Sequence, residues 1–247
     1  MTKWHSQIIS KVGALLGAVL ATAIASPASA TTLDNAATVI PGFASFMAGA
    51  NGRSFDKNPP DYLAAFAPFV GSDFYSFGAF SGPVDLSGVL ALEVAGYAGQ
   101  NSIGLLNTAN HHFTTLLSGS DTAGDDFSAY VGPTNQFVFA LNGPGGLFSS
   151  IASDNIDNLL HIVAQRVVTS GTVALNGANY AVQAGDYAFY FEDDLAGTHS
   201  DRDFNDAVVI VHAKTPGCNC NEVPEPATML LLSSGLVGAG IKRRRKA

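Results

Sequence analysis

Seven oxygen-bearing side chains fall within fifteen residues of the stretch "FYFEDDLAGTHSDRDFNDAVVIV": Glu192, Asp193, Asp194, Asp201, Asp203, Asn205 and Asp206. Carboxylates packed this densely repel one another, and a hard cation relieves the repulsion. Calcium takes six to eight oxygen ligands at about 2.3–2.6 Å and tolerates irregular geometry. Asp201, Asp203 and Asn205 match the D-x-D-x-[DN] opening of an EF-hand loop. The sixth position of such a loop calls for glycine and the twelfth for glutamate, and here they are Asp206 and His212. The pattern is therefore a calcium loop of another fold or, equally open from the residues alone, a set of Asx turns capping strand ends.

Other residues with chemistry in them are more dispersed. "SGSDTAGDDF" holds Asp121, Asp125 and Asp126 and reads as a solvated loop. His111 and His112 point to opposite faces of an extended segment, so they cannot share a metal. His161 and His199 stand singly and read as structural, and imidazole is not a calcium ligand. Cys218 and Cys220 are two apart in "GCNCNEVPEP", a strained spacing for a mutual disulfide, and lack partners for a four-ligand zinc site. They read as part of a linker, with intermolecular pairing open to them. No G-x-S-x-G elbow, H-E-x-x-H pair or phosphate loop occurs, and the expectation is that the protein is not an enzyme. Carboxylate pairs of the 192–206 loop could hydrolyse glycosides only if an apolar pocket raised one of them. Tyr62, Tyr75, Tyr130 and Tyr180 could stack on sugars, but no aromatic stripe sets them apart from core residues.

The elements that must position these residues read as strands. In "LSGVLALEVAGYA", Leu90, Leu92 and Val94 alternate with Ala91, Glu93 and Ala95. "QFVFAL" places Phe137, Phe139 and Leu141 on one face, and "DYAFYF" does the same with Tyr187, Phe189 and Phe191. "LHIVAQRVV" behaves alike. Asn176-Gly177 between two β-rich runs predicts a hairpin turn. "AVVIVHA" is a continuous apolar run, as expected of an interior strand. The runs recur about every ten residues with Gly, Asn, Pro and Ser between them, which predicts an all-β, antiparallel, jelly-roll-like β-sandwich. One short helix is expected at "PDYLAAFAPF". Residues 31 to 58 read as loop-rich.

The two ends carry addresses. Lys3, His5 and Lys11 precede an uncharged apolar run from Val12 to Ala25, then "SPASA" with Ala28 and Ala30. This order predicts a secretory signal helix over residues 1–30, exported through the Sec translocon and cleaved after Ala30. At the other end, Val223, Pro224, Glu225 and Pro226 precede fifteen mostly apolar residues, then Lys242, Arg243, Arg244, Arg245 and Lys246. As a helix this segment would span roughly 22 Å at ~1.5 Å per residue, short of the ~30 Å hydrocarbon core. The basic cluster stays cytoplasmic, which leaves the body outside the inner membrane.

This tail resembles a PEP-CTERM sorting signal: the V-P-E-P motif, a short hydrophobic transmembrane helix and a terminal arginine cluster, in order. The resemblance implies a Gram-negative, exopolysaccharide-producing host. It also implies transient anchoring in the inner membrane facing the periplasm, processing by the membrane peptidase exosortase near residues 223–226, and release to the cell surface or biofilm matrix. The body carries a second resemblance. "FEDDL", "SDRDFND" and the following valine-rich strand are similar to the end of an extracellular domain of unknown function numbered 4114. "AGYAGQNSIGLLN" (95–107) and "NLLHIVAQRV" (158–167, with His161 at that family's histidine) resemble its middle strands. Ile103 replaces a usual aromatic and Asp194 is inserted. The resemblance implies a β-rich, calcium-binding surface domain without established activity.

Charge agrees with export to a surface. Between the two addresses only Arg53, Lys57, Arg166, Arg202 and Lys214 face nineteen Asp and Glu, a net charge of −14. Such a body repels nucleic acid and anionic lipid. The expected organisation is a signal peptide (1–30), a β-sandwich (31–215), a linker (216–222) and a sorting signal (223–247). The expected role is structural or adhesive, associated with extracellular polysaccharide. A carbohydrate-binding module is the alternative, and a secreted hydrolase comes third.

Overall fold

A computed structural model describes residues 33–50, 62–95, 97–134, 136–195 and 202–216. The signal peptide, Asp201, His199, Cys218, Cys220 and the sorting tail lie outside the described residues. The described residues all belong to one compact unit, residues 28–222.

The fold is an all-β sandwich with antiparallel pairing throughout. Seven strands form the larger sheet in the order β1 (Ala37–Val39), β2 (Val70–Phe77), β10 (Ile162–Val167), β13 (Tyr187–Phe191), β14 (Ala207–Lys214), β4 (Val84–Glu93), β7 (Asp126–Val131). The smaller sheet runs β3 (Phe80–Ser81), β8 (Gln136–Gly143), β5 (Ser102–Asn107), β6 (Phe113–Leu117), with β9 (Gly146–Ser149) also paired to β8. β11 (Gly171–Leu175) and β12 (Ala178–Val182) make a separate hairpin. Its turn is Asn176-Gly177, with φ of 47° and 77°, the left-handed pair a two-residue I′ turn demands.

One hydrophobic core lies between the sheets. Tyr187, Phe189 and Phe191 of β13 enter it from the larger sheet, as their alternation predicts, and Phe139 and Leu141 of β8 enter from the smaller one. The Phe189 ring sits 4.2 Å from Phe139 and 4.8 Å from Phe77, so it ties the two sheets together. A second core covers the outer face of the larger sheet. There Ala188, Tyr190, Val208 and Ile210 pack under Met47, Tyr62 and Phe66, and under Val173 and Tyr180 of the hairpin. Burial on both faces explains why β13 and the first five residues of β14, Ala207 to Val211, are apolar without interruption.

Two helices supply part of that cover: α1 (Phe43–Ala50) and α2 (Tyr62–Phe66). α2 is the helix expected from the sequence. α1 and β1 fall in the region that reads as loop-rich, because "FASFMAGA" carries neither a cap nor a charged face to mark it. A second difference concerns β4. Its pairing with β14 shifts register between Val208 and Val209, leaving Ala91 as an extra residue. This bulge turns Leu90 to the inter-sheet core and Leu92 to the outer one, so the two do not share a face as simple alternation predicts.

Phe189→Ala removes the ring that joins the two sheets. We expect a loss of about 3–5 kcal/mol in unfolding free energy by urea titration, the usual cost of truncating a buried phenylalanine.

Candidate functional site

The acidic loop joins the last residue of β13 to the first of β14, and Phe191 and Ala207 are paired across the two strands. Neighbouring antiparallel strands thus bring the two halves of the loop together at one end of the larger sheet. Glu192 and Asp193 are 3% and 4% exposed, and Asp203 and Asn205 are 1% exposed. Phe204 anchors this return by inserting into the outer core, where its ring meets Phe43 edge-on at 5.5 Å. Arg202 and Phe204 both take φ of 57°, a left-handed conformation unusual for large side chains. Packing of Phe204 and the Arg202 guanidinium over the Phe46 ring at 5.8 Å hold the chain there.

Polar contacts knit the halves. The Asp193 N–H donates to Asp206 Oδ2 at 2.7 Å, and the Phe204 N–H donates to Glu192 Oε2 at 3.4 Å. Asp203 accepts from the Asn205 N–H at 3.2 Å and from Asn205 Nδ2 at 2.7 Å. The Tyr62 hydroxyl donates to the Asp203 carbonyl, tying the loop to α2. Asp206 accepts the N–H groups of Val94 and Ala95 on its own carbonyl, which ties the loop to the end of β4. Asn101, just before β5 of the smaller sheet, donates from Nδ2 to Asp193 Oδ2 at 2.6 Å. On the other side of Glu192, His161 lies within 3.2 Å of the Glu192 carbonyl through Nδ1, faces Asp157 at 3.0 Å through Nε2, and stacks on Phe148 at 3.8 Å.

This arrangement concentrates negative charge out of water. Burial, and then the charges of Glu192, Asp193 and Asp203, push the Asp206 carboxyl from 3.8 up to about 10, against the Asp193 N–H that lowers it. One strand away, Glu93 is raised from 4.5 to about 7, by burial and then by Asp121. Among the described residues no three His, Cys, Asp or Glu side chains stand in a finished metal-binding geometry. The donor set, made of carboxylate and carboxamide oxygens, is of the chemistry a hard cation takes.

Of the seven predicted ligands, the structure brings Glu192, Asp193, Asp203, Asn205 and Asp206 into this one cluster. Asp194 faces its own backbone, accepting the Leu195 N–H at 2.8 Å. Asn101 and Glu93 belong to the same end of the sandwich and were not legible as site residues, since each lies about a hundred residues from the loop and only sheet pairing unites them. Elsewhere, Asp121 and Asp125 accept the Ser118 and Thr122 N–H groups at 2.6 and 2.7 Å, as turn formers do. His161 is buried in a structural network. Tyr62 and Tyr180 are buried and cannot stack on a sugar, whereas Tyr130 is 63% exposed.

Residues 222–246 match the family described as the PEP-CTERM protein-sorting motif. No curated protein matches the chain. Among the described residues no helix is long and apolar enough to cross a membrane, and both hydrophobic end segments lie outside them.

Asp206 sets a pH dependence. Its folded value lies above its unfolded one, so the folded state holds the extra proton between about pH 4 and pH 10, and stability falls as pH rises through that window. Glu93 acts in the same direction, but only up to about pH 7. In chelator, urea unfolding of the wild type should lose stability from pH 7 to 10, with a slope of at most about 1.4 kcal/mol per pH unit for one proton. Asp206→Asn should flatten that upper limb. By its sorting motif, the chain is an exported protein, transiently anchored at the membrane, whose processing partner is exosortase.

Proposed function

We propose that this protein serves at the cell surface or in the extracellular matrix of a Gram-negative bacterium, in a structural or adhesive role associated with exopolysaccharide. Its acidic loop is stabilised by calcium. The role is non-enzymatic. The observation that carries the reading is the cluster of Glu192, Asp193, Asp203 and Asn205, all at most 4% exposed, with Asp206 bonded to it. A buried set of carboxylates is tenable only if protonated, hydrogen-bonded or bound to a cation. Calcium supplies what the retained proton otherwise supplies, and it does so without withdrawing the oxygens from the loop.

A carbohydrate-binding role remains the second reading, and one observation favours it. An open cleft of about 450 Å³ lies over the outer face of the smaller sheet, lined by Leu106, Val138 and Leu147 with Thr108, His111 and Asp154. Mixed apolar and hydroxyl lining suits a neutral sugar better than the buried tyrosines do.

The two readings separate on intact cells. If calcium holds the loop and the loop serves adhesion, washing cells with chelator releases the protein into the medium, and calcium restores retention. Chelator-resistant retention that free exopolysaccharide fragments compete away would instead favour the cleft. Retention indifferent to both would remove both readings.

A further inference from the structure

We propose that the cleft over the smaller sheet receives the acetamido group of an N-acetylated hexosamine residue of the exopolysaccharide. This deepens the carbohydrate reading of that cleft and rests on it. Leu106 of β5 and Val138 of β8 are paired neighbours and form an aliphatic floor, flanked by Leu147 of β9, which is 43% exposed. Ser149 and Asp154 line the cleft from the β9 side, and Thr108 and His111 line it from the β5–β6 turn, with β8 between. Buried asparagines hold both sides. Asn155, 3% exposed, accepts the Ser149 N–H on Oδ1 at 2.6 Å and donates from Nδ2 to the Ser149 and Leu159 carbonyls. Asn107, 6% exposed, accepts the Ala109 and Asn110 N–H groups on Oδ1, and His111 follows at φ of 55°. The lining is therefore set before a ligand arrives, which lowers the cost of binding one.

Two polar groups in this lining have unused capacity. Ser149 is 2% exposed, and its Oγ accepts the Ile151 N–H at 3.0 Å, yet among the described residues its hydroxyl proton has no acceptor. The Asp154 carboxylate is exposed and has no hydrogen bond or ion pair among the described residues. The cleft thus offers one buried O–H donor, one free carboxylate acceptor and an aliphatic floor. An acetamido group has three matching parts: a carbonyl that accepts, an N–H that donates and a methyl group that gains by leaving water. Among the described residues no Phe, Tyr or Trp lines the cleft, so a plain hexose ring finds no flat aromatic face beneath its C–H groups. A uronic acid would bring its carboxylate against Asp154 and toward a strongly acidic body. A free ammonium pairs with Asp154 but cannot accept the Ser149 proton, and it leaves the floor unfilled. The acetylated amine meets none of these objections, and Thr108 and His111 are left for hydroxyl groups of the same residue.

The test is calorimetric titration of the exported, processed protein with tetramers of N-acetylglucosamine, glucosamine, glucose and galacturonic acid. The N-acetylated tetramer should bind more tightly than each of the others by about tenfold, the ratio that a hydrogen bond and a buried methyl group together supply. Asp154→Ala, at an exposed position that the fold tolerates, should weaken that binding roughly fivefold. In saturation-transfer NMR with wild type, which needs no variant, the acetyl methyl protons should receive more saturation than the ring protons. Pelleting separates two polymers that carry such residues, and the protein should pellet with the exopolysaccharide. A competitor tetramer that binds as tightly, an Asp154→Ala that binds unchanged, or saturation confined to ring protons would each overturn the acetamido assignment and leave a sugar-binding cleft. Pelleting with isolated peptidoglycan alone would overturn the matrix as the source. No binding of any tetramer would overturn both this inference and the carbohydrate reading beneath it.

Discussion

Four acidic side chains and an asparagine meet where two buried strands end, and their charge must be neutralised for the sandwich to close. β13 and β14 are covered on both faces, so the loop joining them starts and finishes in the interior. Glu192, Asp193, Asp203 and Asn205 are drawn inward by the strands they extend and by Phe204, which plugs the outer core. Desolvation there penalises each charge, and proximity penalises them jointly. The fold meets the constraint with N–H donors from Asp193, Phe204 and Asn205, with the Asn101 amide, and with a proton retained on Asp206. Such a cluster trades stability for responsiveness, since whatever neutralises it acts on the joint between both sheets.

The remaining architecture works to make that joint rigid. Tyr62 of α2 fixes the backbone of Asp203, His161 just before β10 lies against the carbonyl of Glu192, and Val94 and Ala95 just after β4 donate to the carbonyl of Asp206. Each tie comes from a different element, so the loop is held from the helical cover and from both neighbouring strands. The β4 bulge at Ala91 belongs to the same arrangement. It sends Leu92 to the outer core just before Glu93, one strand away from the start of β14.

Much of this was legible in the sequence, for local reasons. Alternation in "DYAFYF" and "QFVFAL" has a period that only strands share, and Asn176-Gly177 is a turn whose backbone requirement few other pairs meet. The acidic loop announced itself by density alone, and five of its six described oxygen-bearing residues converge. Three features were not legible, each because its cause is tertiary. α1 is held by its covering position over Phe74 and Phe204 and not by any cap. The Ala91 bulge depends on how β4 meets β14. Asn101 acquires a role only because the smaller sheet folds back over the loop, and no spacing rule links residue 101 to residue 193. The sorting tail was readable for the opposite reason, since its three parts act in linear order and need no fold.

A melting curve of the exported, processed protein in chelator and then in millimolar calcium, for wild type and Asp203→Ala, tests the central claim most directly. A ligand that binds only the folded state raises its melting temperature by mass action. The account predicts a rise of several degrees for the wild type, lost in Asp203→Ala. An unchanged wild-type melting temperature would show that the proton and the N–H donors suffice, and would reduce the acidic loop to a set of buried turns.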